Sequence, residues 1–112
     1  MELLHNPRCG KSRQCLAFLE GNNKEFTIIK YLENPLTVNE IKSLLIKLEI
    51  SPIELVRQKE AIWIENYKNR QLSDEMIIDA VAEHPILIER PIVIIGDKAY
   101  IARNEETLNK LI

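Results

Sequence analysis

The chain has 112 residues, 46% hydrophobic and 29% charged, which fits one packed domain over residues 1–112 and excludes a disordered chain. Fifteen Lys and Arg against seventeen Asp and Glu give a net charge of -2, which argues against nucleic-acid binding because phosphate backbones need a basic surplus. No apolar run reaches the ~18 residues of a membrane span, and two cysteines are too few for a disulfide scaffold or a four-cysteine zinc site.

Glu2–His5 reads as a brief strand that Asn6-Pro7 ends. A helix follows from Cys9 or Gly10 to Glu20, with Cys15, Leu16, Phe18 and Leu19 on its apolar face and Gly21-Asn22-Asn23 as its stop. Thr27–Tyr31 is rich in β-branched residues and reads as a second strand, so the opening third predicts a parallel βαβ unit. Thr37 with Glu40 forms a capping box ahead of Ile41, Leu44, Leu45 and Leu48 at helical spacing. Pro52 opens a short helix through Leu55, Val56 and Arg57. The stretch from Gln58 to Leu72 has no assignable pattern, although Trp63 and Tyr67 suit packing. Ser73 caps a helix that buries Met76, Ile77, Ala80 and Val81 and closes at His84-Pro85. Pro91–Ile95 and Lys98–Ala102 form a hairpin about Gly96-Asp97, and Asn104 caps a last helix with Leu108 and Leu111 inward.

The chemistry concentrates at Cys9, in His5-Asn6-Pro7-Arg8-Cys9-Gly10-Lys11-Ser12-Arg13, between a strand end and a helix start. Unpaired backbone N–H groups and the positive end of a helix dipole stabilise a thiolate there. Arg8, Lys11 and Arg13 add cationic side chains, and both effects lower a thiol pKa from ~8.5. Gly10 lets backbone approach an anion closely. Cys15 is a candidate second thiol, but six helical residues rise ~9 Å and disulfide Cα atoms lie within ~7 Å, so a buried structural role fits it better. Ser12 occupies the position of a resolving cysteine, which makes the site monothiol.

That loop resembles the active-site loop of the glutaredoxin-coupled arsenate reductase family. Tyr31-Leu32-Glu33-Asn34-Pro35-Leu36-Thr37, Leu55-Val56-Arg57, His84-Pro85-Ile86-Leu87-Ile88-Glu89-Arg90-Pro91-Ile92-Val93 and Ala102-Arg103 extend the resemblance over nearly the whole chain. It implies an α/β, thioredoxin-like fold: a four-stranded mixed sheet with an inserted helical block. It also implies a Cys9 thiolate that attacks arsenate, with Arg57, Arg90 and Arg103 around the oxyanion and Pro91 at the cis-proline position. Ser12 would donate to the sulfur or cap the helix, His5 would tune the thiolate or bond the loop, and Asn6 and Arg8 would shape the pocket. Glutathione would be the co-substrate and glutaredoxin the partner, with no bound cofactor and no metal. A cytoplasmic monomer that engages neither membrane nor nucleic acid is expected, and Met1–Leu4 carries no signal-peptide pattern. Two alternatives stand beside this: a monothiol oxidoreductase acting on glutathione mixed disulfides, and an Spx-type redox-sensing regulator, which Ser12 in place of a second cysteine disfavours.

Overall fold

The computed structural model describes residues 1–112. Strands β1 (Glu2–Leu4), β2 (Thr27–Ile29), β3 (Ile92–Ile95) and β4 (Lys98–Ile101) form a mixed sheet in the order β2-β1-β3-β4. Strand β1 pairs parallel with β2 and antiparallel with β3, and β3 pairs antiparallel with β4. Parallel neighbours need a long crossover, and helix α1 (Gly10–Gly21) supplies it. The β3–β4 hairpin turns on Gly96 at φ 63, with Ile95 opposite Lys98; a two-residue turn with positive φ at its first position suits glycine.

The chain divides into two compact units. The first, residues 1–34 and 90–112, holds the sheet, α1 and the last helix, α6 (Glu105–Asn109). Its core is Leu3, Cys15, Leu19, Val93, Ala102, Leu108 and Leu111, flanked by the half-buried Leu16 and Phe18. Asn104 caps α6 by accepting from the Thr107 N–H at 2.8 Å. Strand β2 stops two residues short of the expected Tyr31, because the Lys30 carbonyl accepts from the Glu33 and Asn34 N–H groups and turns the chain.

The second unit, residues 35–89, is the helical block between β2 and β3 in the chain. Helix α2 (Val38–Leu48) opens on the expected capping box, with Thr37 N–H donating to Glu40 at 2.9 Å and Glu40 N–H to Thr37 Oγ1 at 3.1 Å. Helix α3 (Pro52–Leu55) ends before Arg57, so Arg57 does not lie on a helix as the pattern predicts. Val56 instead bridges to Ile88, with Arg57 N–H on Leu87 O at 2.6 Å and Glu89 N–H on Leu55 O at 2.8 Å. The unassigned stretch contains α4 (Ala61–Asn66), where buried Trp63 stacks on Tyr67 at 5.3 Å. Helix α5 (Asp74–Glu83) packs against α2, α3 and the 3₁₀ turn at Pro85–Leu87. It buries Ile77, Ile78, Ala80 and Val81; Met76, in the exposed first turn, stays outside. No helix is long and apolar enough to cross a membrane.

Candidate active site

Cys9 is the N-cap of α1 in extended backbone, φ -93 and ψ 124. The turn that delivers it runs from Asn6 through Pro7 and Arg8, closed by the Cys9 N–H on Asn6 O at 3.0 Å. Asn at the first position and Pro at the second are favoured in such turns. The Asn6 side chain also accepts the Arg8 N–H at 3.0 Å. Helix α1 then begins on the Cys9 carbonyl, which accepts from the Arg13 N–H at 3.0 Å.

Burial pushes the Cys9 thiol up, and charge and hydrogen bonding overcome it. The Ser12 backbone N–H, the Arg90 side chain, the Lys11 backbone N–H and the Arg90 charge together lower it from 9.0 to about 7. These donors act on the thiolate, the form whose charge they stabilise. Half of the sulfur is therefore anionic near neutrality. A half-buried thiolate in electropositive surroundings of this kind is a nucleophile.

The cation on the sulfur is Arg90, not one of the three basic residues in the loop. Arg8, Lys11 and Arg13 are exposed, and Arg13 donates from Nη1 to Pro7 O at 3.0 Å. Arg90 is buried at 6% exposure. It precedes Pro91 through a cis peptide bond. Arg103 donates from Nη1 to Arg90 O at 2.6 Å, and the Ala102 N–H donates to Pro91 O at 2.9 Å. Cys9, Arg90 and Arg103 thus belong to one unit, brought together by the β1–β3–β4 pairing.

The model of the ArsC family matches residues 4–111 of this chain. The chain belongs to the ArsC family. An arsenate reductase of Haemophilus influenzae is 41% identical over 112 residues, covering 98% of this chain and 97% of that protein. An arsenate reductase of Neisseria meningitidis serogroup A is 33% identical over 114 residues, covering 100% and 97%. Among solved structures, an arsenate reductase from Vibrio cholerae aligns with a TM-score of 0.90 at 40% identity, over 100% of this chain and 98% of that one. The thioredoxin-like α/β fold of the family is the fold of this chain.

The other candidate positions of the sequence fall as follows. Arg57, in the second unit, pairs through Nε with Glu60 Oε1 at 3.3 Å, and its Nη1 is buried with no hydrogen-bond partner. Ser12 is fully buried; its hydroxyl engages His5 Nδ1 at 2.7 Å and accepts the Asn6 N–H at 3.0 Å, so its backbone and not its hydroxyl serves the sulfur. His5 is buried, and burial followed by the charges of Arg13 and Lys30 lowers its pKa from 6.5. The Lys30 contribution has no signal in the loop motif. Gly10 meets nothing in the chain that a Cβ would strike, only Arg13 Nη2 at 3.8 Å. Cys15 is fully buried in the first unit's core, and burial raises its thiol to about 11. Both cysteines are free.

Proposed function

We propose that the chain is an arsenate reductase in which the Cys9 thiolate attacks arsenic and glutathione with glutaredoxin supplies the electrons. The observation that carries this is the Cys9 thiol, lowered to about 7 by backbone N–H groups and Arg90. The family's arsenate reductases, similar over nearly their full length, support the substrate. In the first step the thiolate sulfur forms a bond to As(V) and the bond from arsenic to one of its hydroxyl groups breaks, that hydroxyl leaving as water with one proton taken from solvent. Over the cycle two thiols become one disulfide, and arsenate becomes arsenite and water. No bound cofactor is required.

Arg90 and Arg103 serve the oxyanion in this reading. Guanidinium forks stay protonated and match tetrahedral oxyanions with paired N–H donors, and they offset charge that builds on the oxygens as the sulfur attacks. Arg57 takes the same role by family resemblance, supported by its buried, unpartnered Nη1. Residues 1–112 act as one catalytic domain, as a cytoplasmic monomer, with Cys15 outside the cycle.

The test is arsenate-dependent consumption of reducing equivalents, with glutathione, glutaredoxin and a disulfide reductase in excess. Wild-type protein turns over and Cys9→Ser does not. Wild-type protein that ignores arsenate but reduces a glutathione mixed disulfide would replace the substrate and keep the nucleophile.

A further inference from the structure

We infer that Glu60 is a positioning residue for the oxyanion: its carboxylate holds Arg57 at Nε and leaves the terminal edge of the guanidinium free to take arsenate. The inference rests on the reading above, in which Arg57 is an oxyanion donor.

A guanidinium presents two forked edges, one formed by Nε with a terminal nitrogen and the other by the two terminal nitrogens. At Arg57 the Glu60 carboxylate lies on Nε at 3.3 Å, with the two side chains 27% and 24% exposed. Nη1, on the terminal edge, is buried with no hydrogen-bond partner. Buried donors are normally paired, so an open Nη1 beside an occupied Nε marks the edge kept for a ligand.

The backbone commits Glu60 to this pair. Its N–H donates to Arg57 O at 3.2 Å, closing a turn over residues 57–60, and its carbonyl accepts from Trp63 and Ile64 at 3.0 and 3.1 Å to begin α4. Glu60 is thus the N-cap of α4, yet its side chain makes no capping hydrogen bond; the carboxylate goes to Arg57 instead. On the other side of the turn the Arg57 N–H is held by Leu87 O at 2.6 Å. Main-chain bonds therefore fix both ends of the ion pair, and the pair restrains a side chain that otherwise has many rotamers.

Charge alone works the other way, since a carboxylate beside an anion site repels the anion. Positioning predicts that removing Glu60 weakens arsenate binding, whereas charge predicts that it strengthens it. Steady-state kinetics with arsenate varied separate the two. Glu60→Ala is expected to raise KM about fivefold with kcat within about twofold of wild type. Glu60→Gln keeps an acceptor for Nε and should stay within about twofold in both. Arg57→Ala and the Arg57→Ala/Glu60→Ala double variant should share one KM, because Glu60 acts through Arg57. Should Glu60→Ala fail to fold, Glu60→Asp decides: it places a preferred N-cap residue on α4 and keeps the charge, but withdraws the carboxylate by one methylene, and KM should still rise about fivefold. An unchanged or lower KM in the deciding variant, with Arg57→Ala impaired, overturns the proposal alone; so does Glu60→Gln as impaired as Glu60→Ala, or a double variant worse than Arg57→Ala. Wild-type protein without arsenate turnover, or Arg57→Ala with an unchanged KM, overturns the underlying reading and the proposal with it.

Discussion

Arg103 donates from its guanidinium Nη1 to the main-chain carbonyl of Arg90 at 2.6 Å, while the Arg90 side chain hydrogen-bonds the Cys9 sulfur. The backbone of one arginine thus seats the other, and removing the Arg90 side chain leaves that seat in place. Arg90→Ala is expected to raise the Cys9 thiol from about 7 toward 9.0 and to slow its alkylation at pH 7. Turnover of arsenate should fall about 10²–10³-fold, as when one oxyanion donor is removed. Arg90→Lys restores the charge without the planar fork, so it should recover part of the thiol shift and little of the turnover. Thiol titration and steady-state kinetics on the two variants check both statements.

Arg57→Ala should behave differently. Arg57 is not among the groups that act on the Cys9 thiol, so alkylation against pH should match wild type. A lost charged hydrogen bond is equivalent to about ten- to a hundredfold in affinity, and KM for arsenate should rise by that order. Steady-state kinetics with arsenate as the varied substrate read the effect.

The pH dependence has a definite sign. Cys9 is an acid lowered to about 7, so thiolate accumulates as pH rises through 7, and one unit below that point only about a tenth of the sulfur is ionised. Alkylation should follow this curve. The same shift links to stability: the folded value lies below the unfolded 9.0, so the stabilisation is full above 9.0 and is lost as pH falls through about 7.

Cys15 carries the opposite sign. Its folded value is raised from 9.0 to about 11, so between those limits the folded chain keeps a proton that the unfolded chain releases, and stability falls with rising pH. Cys15→Ala removes that fall, as urea denaturation at pH 8 and pH 10 would show. Cys15→Ser puts a hydroxyl among Leu3, Leu19 and Val93 and should cost about 1–3 kcal/mol. Neither change should alter Cys9 alkylation in the folded protein.

Local rules make much of the fold readable. The Thr37–Glu40 capping box, the Asn104 cap, the Gly96-Asp97 turn and the apolar stripe of α1 depend on neighbours within a few residues, and each is present. Helix α4 escapes because it has no side-chain cap and buries only Trp63, which leaves no periodic stripe to detect. Arg57 reads as helical from its neighbours because the Val56–Ile88 bridge depends on a partner more than thirty residues away. Cys9 stands out through its own loop, but its cation does not. The motif's nearby charges, Arg8, Lys11 and Arg13, are exposed, whereas sheet pairing carries Arg90 to the sulfur. Sequence proximity is a poor guide to the electrostatics because the helix start turns those side chains outward. The Ser12 hydroxyl is similarly ambiguous until its burial fixes its partners as His5 and Asn6.

The central claim is that Cys9 alone carries the arsenate-dependent chemistry. Peptide-resolved mass spectrometry of the protein incubated with arsenate and glutathione, alkylated at the end of the reaction, measures it directly. The predicted result is a glutathione- or arsenic-bearing adduct on Cys9 that requires arsenate, with Cys15 unmodified until the protein is unfolded. An unmodified Cys9, or a Cys9–Cys15 disulfide as the arsenate-dependent product, would contradict it.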